Sequence, residues 1–277
     1  MNYLQDKVVM VTGAGSGFGR VTALQLARLG ARVTCLDVVS QNAEETAGLI
    51  TDAGGTALAV AADVTDIDSL RAAVEATIAT WGQVDALINN AGTMPLAFMA
   101  DHAMAMASWA RCIDINFKGV VNGTAAVFDQ MIAQGSGHIV NISSIYANHP
   151  LAGAAVYGAT KASVAYFSDA VRQECRGKIK VSVIKPTGST STNLTQTVLN
   201  PAAALGIAGQ NGADFLQFLQ HRALGTIPDG AVDPDGMAYC SIDPEYIAAA
   251  IVHVLNQPAG VLISDMTVRA TNDPFIV

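Results

Sequence analysis

Short runs of apolar, often β-branched residues alternate along this chain with longer stretches in which apolar positions recur every three or four residues. The runs Lys7 to Val11, Ala31 to Leu36, Ala57 to Ala61, Val84 to Ile88, Gly137 to Ile142, Lys180 to Ile184 and Val261 to Ser264 are short and predict strands. They are apolar almost continuously, as strands covered on both faces must be. Between them, Arg20 to Leu29, Asn42 to Ala53, Asp66 to Trp81 and Ala155 to Gly177 have helical spacing. Asp66 and Asp68 open one of these helices in the manner of N-terminal acids, and Asp243-Pro244-Glu245 opens another with a cap and a first-turn proline. Strands alternating with helices predict parallel βαβ units. The expected fold is α/β: a Rossmann-type, doubly wound parallel sheet of about seven strands flanked by helices, in one domain over residues 1–277.

One region breaks the alternation. From about 193 to 241 the chain carries an insertion with two weakly helical pieces, Leu194 to Leu205 and Ala213 to Leu224. Long excursions from a compact domain usually serve a binding site, so a substrate lid is expected here, with Phe215, Phe218, Leu219, Leu224 and Tyr239 as its apolar cover.

Composition narrows the ligand. With 51% apolar residues, 14% charged residues and no compositional break, the 277 residues can bury a large single core. A net charge of −8 disfavours nucleic acid and anionic membrane surfaces, both of which need basic patches, and leaves small molecules as the expected partners. No apolar run approaches the ~20 residues that span a bilayer, and the N-terminal residues have no signal-peptide pattern, so a cytoplasmic protein is expected. Cys35, Cys112, Cys175 and Cys240 are scattered and the five histidines show no ligand spacing; reduced thiols and no metal are expected.

The first strand enters Thr12-Gly13-Ala14-Gly15-Ser16-Gly17-Phe18-Gly19, and a helix follows. Glycines let the backbone turn tightly and approach a pyrophosphate, whose charge then sits at a helix N-terminus; in this context the loop points to a dinucleotide. Asp37 ends the second strand, eighteen residues beyond Gly19, where a carboxylate can accept hydrogen bonds from both hydroxyls of an adenosine ribose and repel a 2′-phosphate. Val38 and Val39 add no cation, so NAD is favoured over NADP. Gly13, Asp37, Asp63, Asn90 and Ser144 all fall at carboxyl ends of strands, the ligand-binding edge of such sheets. Tyr157 and Lys161 are four residues apart on one helical face, close enough for an ammonium to pull a phenol down from its usual value of about 10. With Ser144 at hand to hold a substrate oxygen, these groups suit carbonyl and carbinol chemistry.

Together Thr12-Gly13-x-x-x-Gly17-x-Gly19, Asp63-Val64, Asn89-Asn90-Ala91-Gly92, Asn116, Ser144 and Tyr157-x-x-x-Lys161 resemble the motifs of the short-chain dehydrogenase/reductase family, in order and over nearly the whole chain. The resemblance implies that Tyr157 is the acid/base, that Ser144 rather than Ser143 positions the substrate oxygen, and that Lys161 holds the nicotinamide ribose. Asn116 would complete a proton relay. It further implies that Gly13, Gly15, Ser16, Gly17, Phe18 and Gly19 cradle the cofactor, Asp37 and Val38 hold its ribose, and Asp63 and Val64 contact adenine. Asn90, Ala91 and Gly92 would brace it, Pro186 and Gly188 would lie along the nicotinamide ring, and either Ser191 or Thr192 would cap its carboxamide. The family's usual Pro-Gly after the sixth strand is Pro186-Thr187 here, a departure. Met94, Pro95, Leu96, Ile145, Tyr146, His149 and Leu151 are candidate pocket residues, and their apolar character suggests a hydrophobic secondary alcohol or ketone. Hydroxysteroid or terpenoid alcohols fit equally, a catalytically silent dinucleotide-binding scaffold is the competing class, and an epimerase or dehydratase is a third reading. A homotetramer or dimer is implied.

Overall fold

The computed structural model describes residues 1–189 and 192–277. Seven parallel strands form one sheet in the order β3-β2-β1-β4-β5-β6-β7: β1 Val8–Thr12, β2 Arg32–Asp37, β3 Thr56–Ala61, β4 Ala86–Asn89, β5 His138–Ile142, β6 Lys180–Pro186 and β7 Asp265–Val268. Val9 pairs with Val33 on one side and Ala86 on the other, so the strand order reverses between β1 and β4. At that crevice beyond the carboxyl ends an open α/β sheet binds its ligand.

Alternate residues of each strand feed two apolar layers. Val9, Val11, Val33, Cys35, Val140 and Ile142 pack into one core with helices α1 (Gly17–Arg28) and α2 (Ser40–Asp52). Met10, Leu36, Leu87, Ile139 and Val181 pack into the other with α3 (Ile67–Trp81) and α5 (Gly119–Gln134). That two-sided burial is why the strands read as continuous apolar runs. Helix α4 (His102–Ile113) leads through a π-helical turn, Asp114–Lys118, directly into α5, and α6 (Ala155–Glu174) follows β5. The expected N-terminal cap of α3 is present, with the Asp66 side chain accepting from the Asp68 N–H and Gly82 closing the helix at φ 80°.

Two expectations are corrected. The last strand is Asp265–Val268 and not 261–264; Val261 and Leu262 are exposed, and the ladder with β6 begins where Val183 pairs with Asp265. Apolarity alone chose the wrong four residues, whereas an edge strand is placed by its partner's register. In the insertion, the piece expected at Leu194 to Leu205 is instead two 3-10 segments, Asn193–Thr197 and Pro201–Asn211, whereas the one expected at Ala213 to Leu224 is present as α7 (Gly212–Leu224); α8 (Asp229–Val232) follows before α9 (Pro244–Leu255) returns to the sheet beside α1.

Candidate active site

The carboxyl ends of the first six strands open onto one cavity of about 360 Å³. Asp37 and Asp63 lie toward one end of it, and Ser144, Tyr157 and Pro186 toward the other.

The glycine loop is shaped by close approach. Gly13 and Gly17 have φ of +64° and +51°, and a Cβ at Gly19 would lie 2.1 Å from the Gly13 carbonyl oxygen, so only glycine lets α1 start this near the loop. The Gly15 N–H donates to Asp37 Oδ2 at 2.9 Å, and a Cβ there would stand 2.5 Å from the same oxygen. Ser16 is the N-cap of α1, yet its hydroxyl makes no cap bond and lines the cavity with Gly13, Gly17 and Phe18. An uncapped helix N-terminus behind a glycine-rich loop suits a pyrophosphate. Gly15 and Gly19 act on the loop from behind rather than from the cavity wall. Asp37 Oδ1 accepts from the Val39 N–H at 3.0 Å. Val38 is exposed at the rim, and the nearby Arg20 is engaged by Glu45 at 3.2 Å and Thr46 at 3.0 Å.

Thr12 ties the loop to the next wall: its Oγ1 accepts from Asn90 N–H at 2.9 Å and Ala91 N–H at 3.0 Å. Asn90, Ala91, Gly92, Asp63 and Val64 line the cavity, as do Pro186 and Gly188. Ser191 lies outside the described residues.

At the reaction end, Tyr157 is 4% exposed, with its ring edge-to-face against Tyr146 at 5.3 Å. Ser144 Oγ accepts from the Tyr146 N–H at 3.3 Å and shares the cavity wall with Tyr157, while the Ser143 hydroxyl is committed to the Lys161 carbonyl, to which it donates at 2.8 Å. Lys161 Nζ donates to the Ile142 carbonyl at 2.8 Å and stands 5.9 Å from the Tyr157 ring centre. Burial pushes its ammonium down to about 8. The expectation that Lys161 lowers the phenol is not met: burial raises Tyr157 above the usual value, and Ser144 only partly opposes this. The desolvation cost of a phenolate outweighs a cation 5.9 Å from the ring centre that is held by a carbonyl.

Asn116 is fully buried in the π turn. Its side chain clamps Thr93, accepting from the Thr93 N–H and donating to its carbonyl, both at 2.8 Å. A Cβ on Gly92 would lie 3.3 Å from Asn116 Oδ1 and 3.6 Å from Lys161 Nζ, so the three meet at one point. Asn116 itself stands behind the wall.

Met94 and Tyr146 line the cavity, but Ile145 and His149 do not. Ile145 is wholly buried as the first residue of the 3-10 turn after Ser144, and His149 is exposed. The expected apolar cover is also corrected. Phe215 packs edge-to-face on Phe275, Tyr239 is buried against α9 with its phenol accepting from the Asp243 N–H, and Leu224 is exposed. Leu194, Thr195 and Thr197 form that wall instead, and Thr197 Oγ1 accepts from the Met94 N–H at 2.8 Å. Arg111 and Ile115 on the Asn116 helix were also missed; their spacing of four places both on one helical face, which was the available signal.

The chain belongs to the short-chain dehydrogenase family, an oxidoreductase family, which it matches over residues 7–202. It is 33% identical over 276 residues to an uncharacterized oxidoreductase of Listeria monocytogenes, covering 98% of this chain and 99% of the relative. An uncharacterized oxidoreductase of Staphylococcus saprophyticus is 30% identical over the same shares. Among solved structures, a 3-ketoacyl-(acyl-carrier-protein) reductase from Brucella melitensis complexed with NADH is similar with a TM-score of 0.77 and 28% identity, covering 97% of this chain and 99% of that one. A metagenomic short-chain oxidoreductase in complex with NADP has a TM-score of 0.73 and 27% identity, covering 97% and 98%.

Proposed function

We propose that this protein is an NAD-dependent oxidoreductase that interconverts a secondary alcohol bearing apolar substituents and its ketone. The observation that carries the reading is the convergence of Ser144, Tyr157 and Lys161 on one wall of a cavity whose opposite end is the glycine loop and Asp37. NAD, when bound, supplies the hydride acceptor, and NADH the donor. The loop glycines and the α1 N-terminus would hold its pyrophosphate. Asp37, with the nearby Arg20 engaged by Glu45 and Thr46, favours a ribose carrying both hydroxyls over one carrying a 2′-phosphate.

Ser144 would hold the substrate oxygen, and Tyr157 would give it a proton in ketone reduction or take one in alcohol oxidation. A phenol kept protonated by burial is ready as the donor. Lys161 would steady that exchange through its charge and hold the nicotinamide ribose, while Asn116 fixes the Thr93 backbone beside them. Met94, Tyr146 and Leu194 give the substrate end its apolar surface, and we read the insertion at about 193 to 241 as the segment that closes over it.

Replacing Tyr157 by Phe is expected to lower turnover by about 10²- to 10⁴-fold while NADH still binds. Alcohol oxidation followed at 340 nm, with NADH and NADPH titrated separately, tests both parts. Activity retained in Tyr157→Phe overturns the acid/base assignment, and preferential binding of NADPH overturns the reading of Asp37.

A further inference from the structure

The departure at Thr187 has a physical consequence. Thr187 directly follows Pro186, the last residue of β6, and precedes Gly188; it is 4% exposed and lines the cavity. Its backbone N–H is satisfied by the Val268 carbonyl at 3.1 Å, but its buried Oγ1 has no hydrogen-bond partner. Thr22 and Thr124 share that condition, but they sit inside α1 and α5, away from the cavity wall. A buried hydroxyl without a partner is destabilising, and a glycine at 187 would carry none of that cost.

We propose that Thr187 is a cofactor-positioning residue whose hydroxyl, without a partner within the protein, hydrogen-bonds the carboxamide of a bound nicotinamide. This rests on the dehydrogenase reading above. Position decides which end of the ligand it meets. β6 lies four strands from β2, roughly 19 Å at the usual strand spacing, so Thr187 is remote from Asp37 and on the side of Tyr157 and Lys161. Of the two serines after β5, Ser143 is committed to the Lys161 carbonyl and Ser144 accepts from the Tyr146 N–H. A carboxamide offers both a carbonyl and an N–H, so a threonine hydroxyl can serve it as donor or acceptor after a single turn about Cα–Cβ.

The test uses Thr187→Val, which keeps the shape and removes the hydroxyl, and Thr187→Ser, which keeps the hydroxyl. The readouts are the melting temperature of the cofactor-free protein and the NADH dissociation constant by fluorescence titration, neither of which needs turnover. The expected result is a pair of opposite changes: Thr187→Val melts about 2 °C or more higher without cofactor, yet binds NADH about fivefold more weakly. Thr187→Ser should retain wild-type affinity. A Thr187→Val protein with a lower melting temperature and unchanged NADH affinity overturns the proposal, as does a change confined to the alcohol KM. Should Thr187→Val not fold, weakened NADH binding in Thr187→Gly together with intact binding in Thr187→Ser supports it, and equal affinity in both overturns it. Failure of the wild type to bind NADH at all would instead overturn the dehydrogenase reading.

Discussion

His138, far from the cavity at the opposite end of β5, is only 5% exposed. Its Nε2 lies 2.8 Å from Ser182 Oγ, and that hydroxyl donates to the Ile263 carbonyl at 2.7 Å, so the ring nitrogen is the donor. Burial, with Lys180 adding repulsion, pushes its pKa down to about 3. An unfolded histidine takes its proton at about 6.5, so between the two values the unfolded state binds more protons and is favoured as pH falls. Stability should therefore be complete above pH 6.5 and decline toward pH 3, with this one group contributing about 1.4 kcal/mol per pH unit within that window. Urea melts at pH 7, 5.5 and 4.5 check this, with His138→Gln expected to show a shallower decline. An equally steep acid loss in that variant would assign the effect to other groups.

At the scale of elements, the C-terminal residues fasten the insertion to the cofactor end of the sheet. Arg269 bonds Asp273 and the Phe275 carbonyl, the Ile276 N–H donates to the Ile207 carbonyl at 3.0 Å, and the Asn211 side chain donates to the Pro274 carbonyl at 3.0 Å. Phe275 then stands between Phe215 of α7 and Gly188, where an added Cβ would lie 3.1 Å from its ring. Because α7 has no buried residue of its own, this strap supplies much of its anchorage. Phe275→Ala should speed amide exchange in α7 and in Pro201–Asn211 by more than tenfold and lower the melting temperature by about 2 to 4 °C, leaving β1 to β5 protected. Unaltered exchange in α7 would show that it is held by other contacts. None of this could be read along the chain, since it joins residues some sixty positions apart. The sheet, the glycine loop and the meeting of Ser144, Tyr157 and Lys161 were legible because period and spacing are local quantities. The raised phenol was not, because burial is set by what packs around Tyr157, Tyr146 among it. The lid aromatics misled for the same reason: Tyr239 and Phe215 are apolar enough to cover a substrate, but found other partners.

For the whole molecule, the remaining question is what covers α4 and α6. Met106 and Ile113, seven residues apart and so on one face of α4, are 60% and 48% exposed, and Tyr166 on the adjoining α6 is 81% exposed. Exposed apolar side chains on adjoining helices can mark an association surface where they form a contiguous patch. Each chain also carries a net charge of −8, so copies that meet must gain enough apolar burial to offset repulsion. A homo-oligomer closed about these helices is the reading this surface favours, and it would steady α6, which carries Tyr157 and Lys161. Light scattering should therefore give a mass that is a multiple of 28.6 kDa. Met106→Glu combined with Tyr166→Glu should yield a smaller species that still binds NADH, because neither residue lines the cavity. A 28.6 kDa wild-type particle, or a double variant of unchanged mass, would rule out this face as the one that joins the copies.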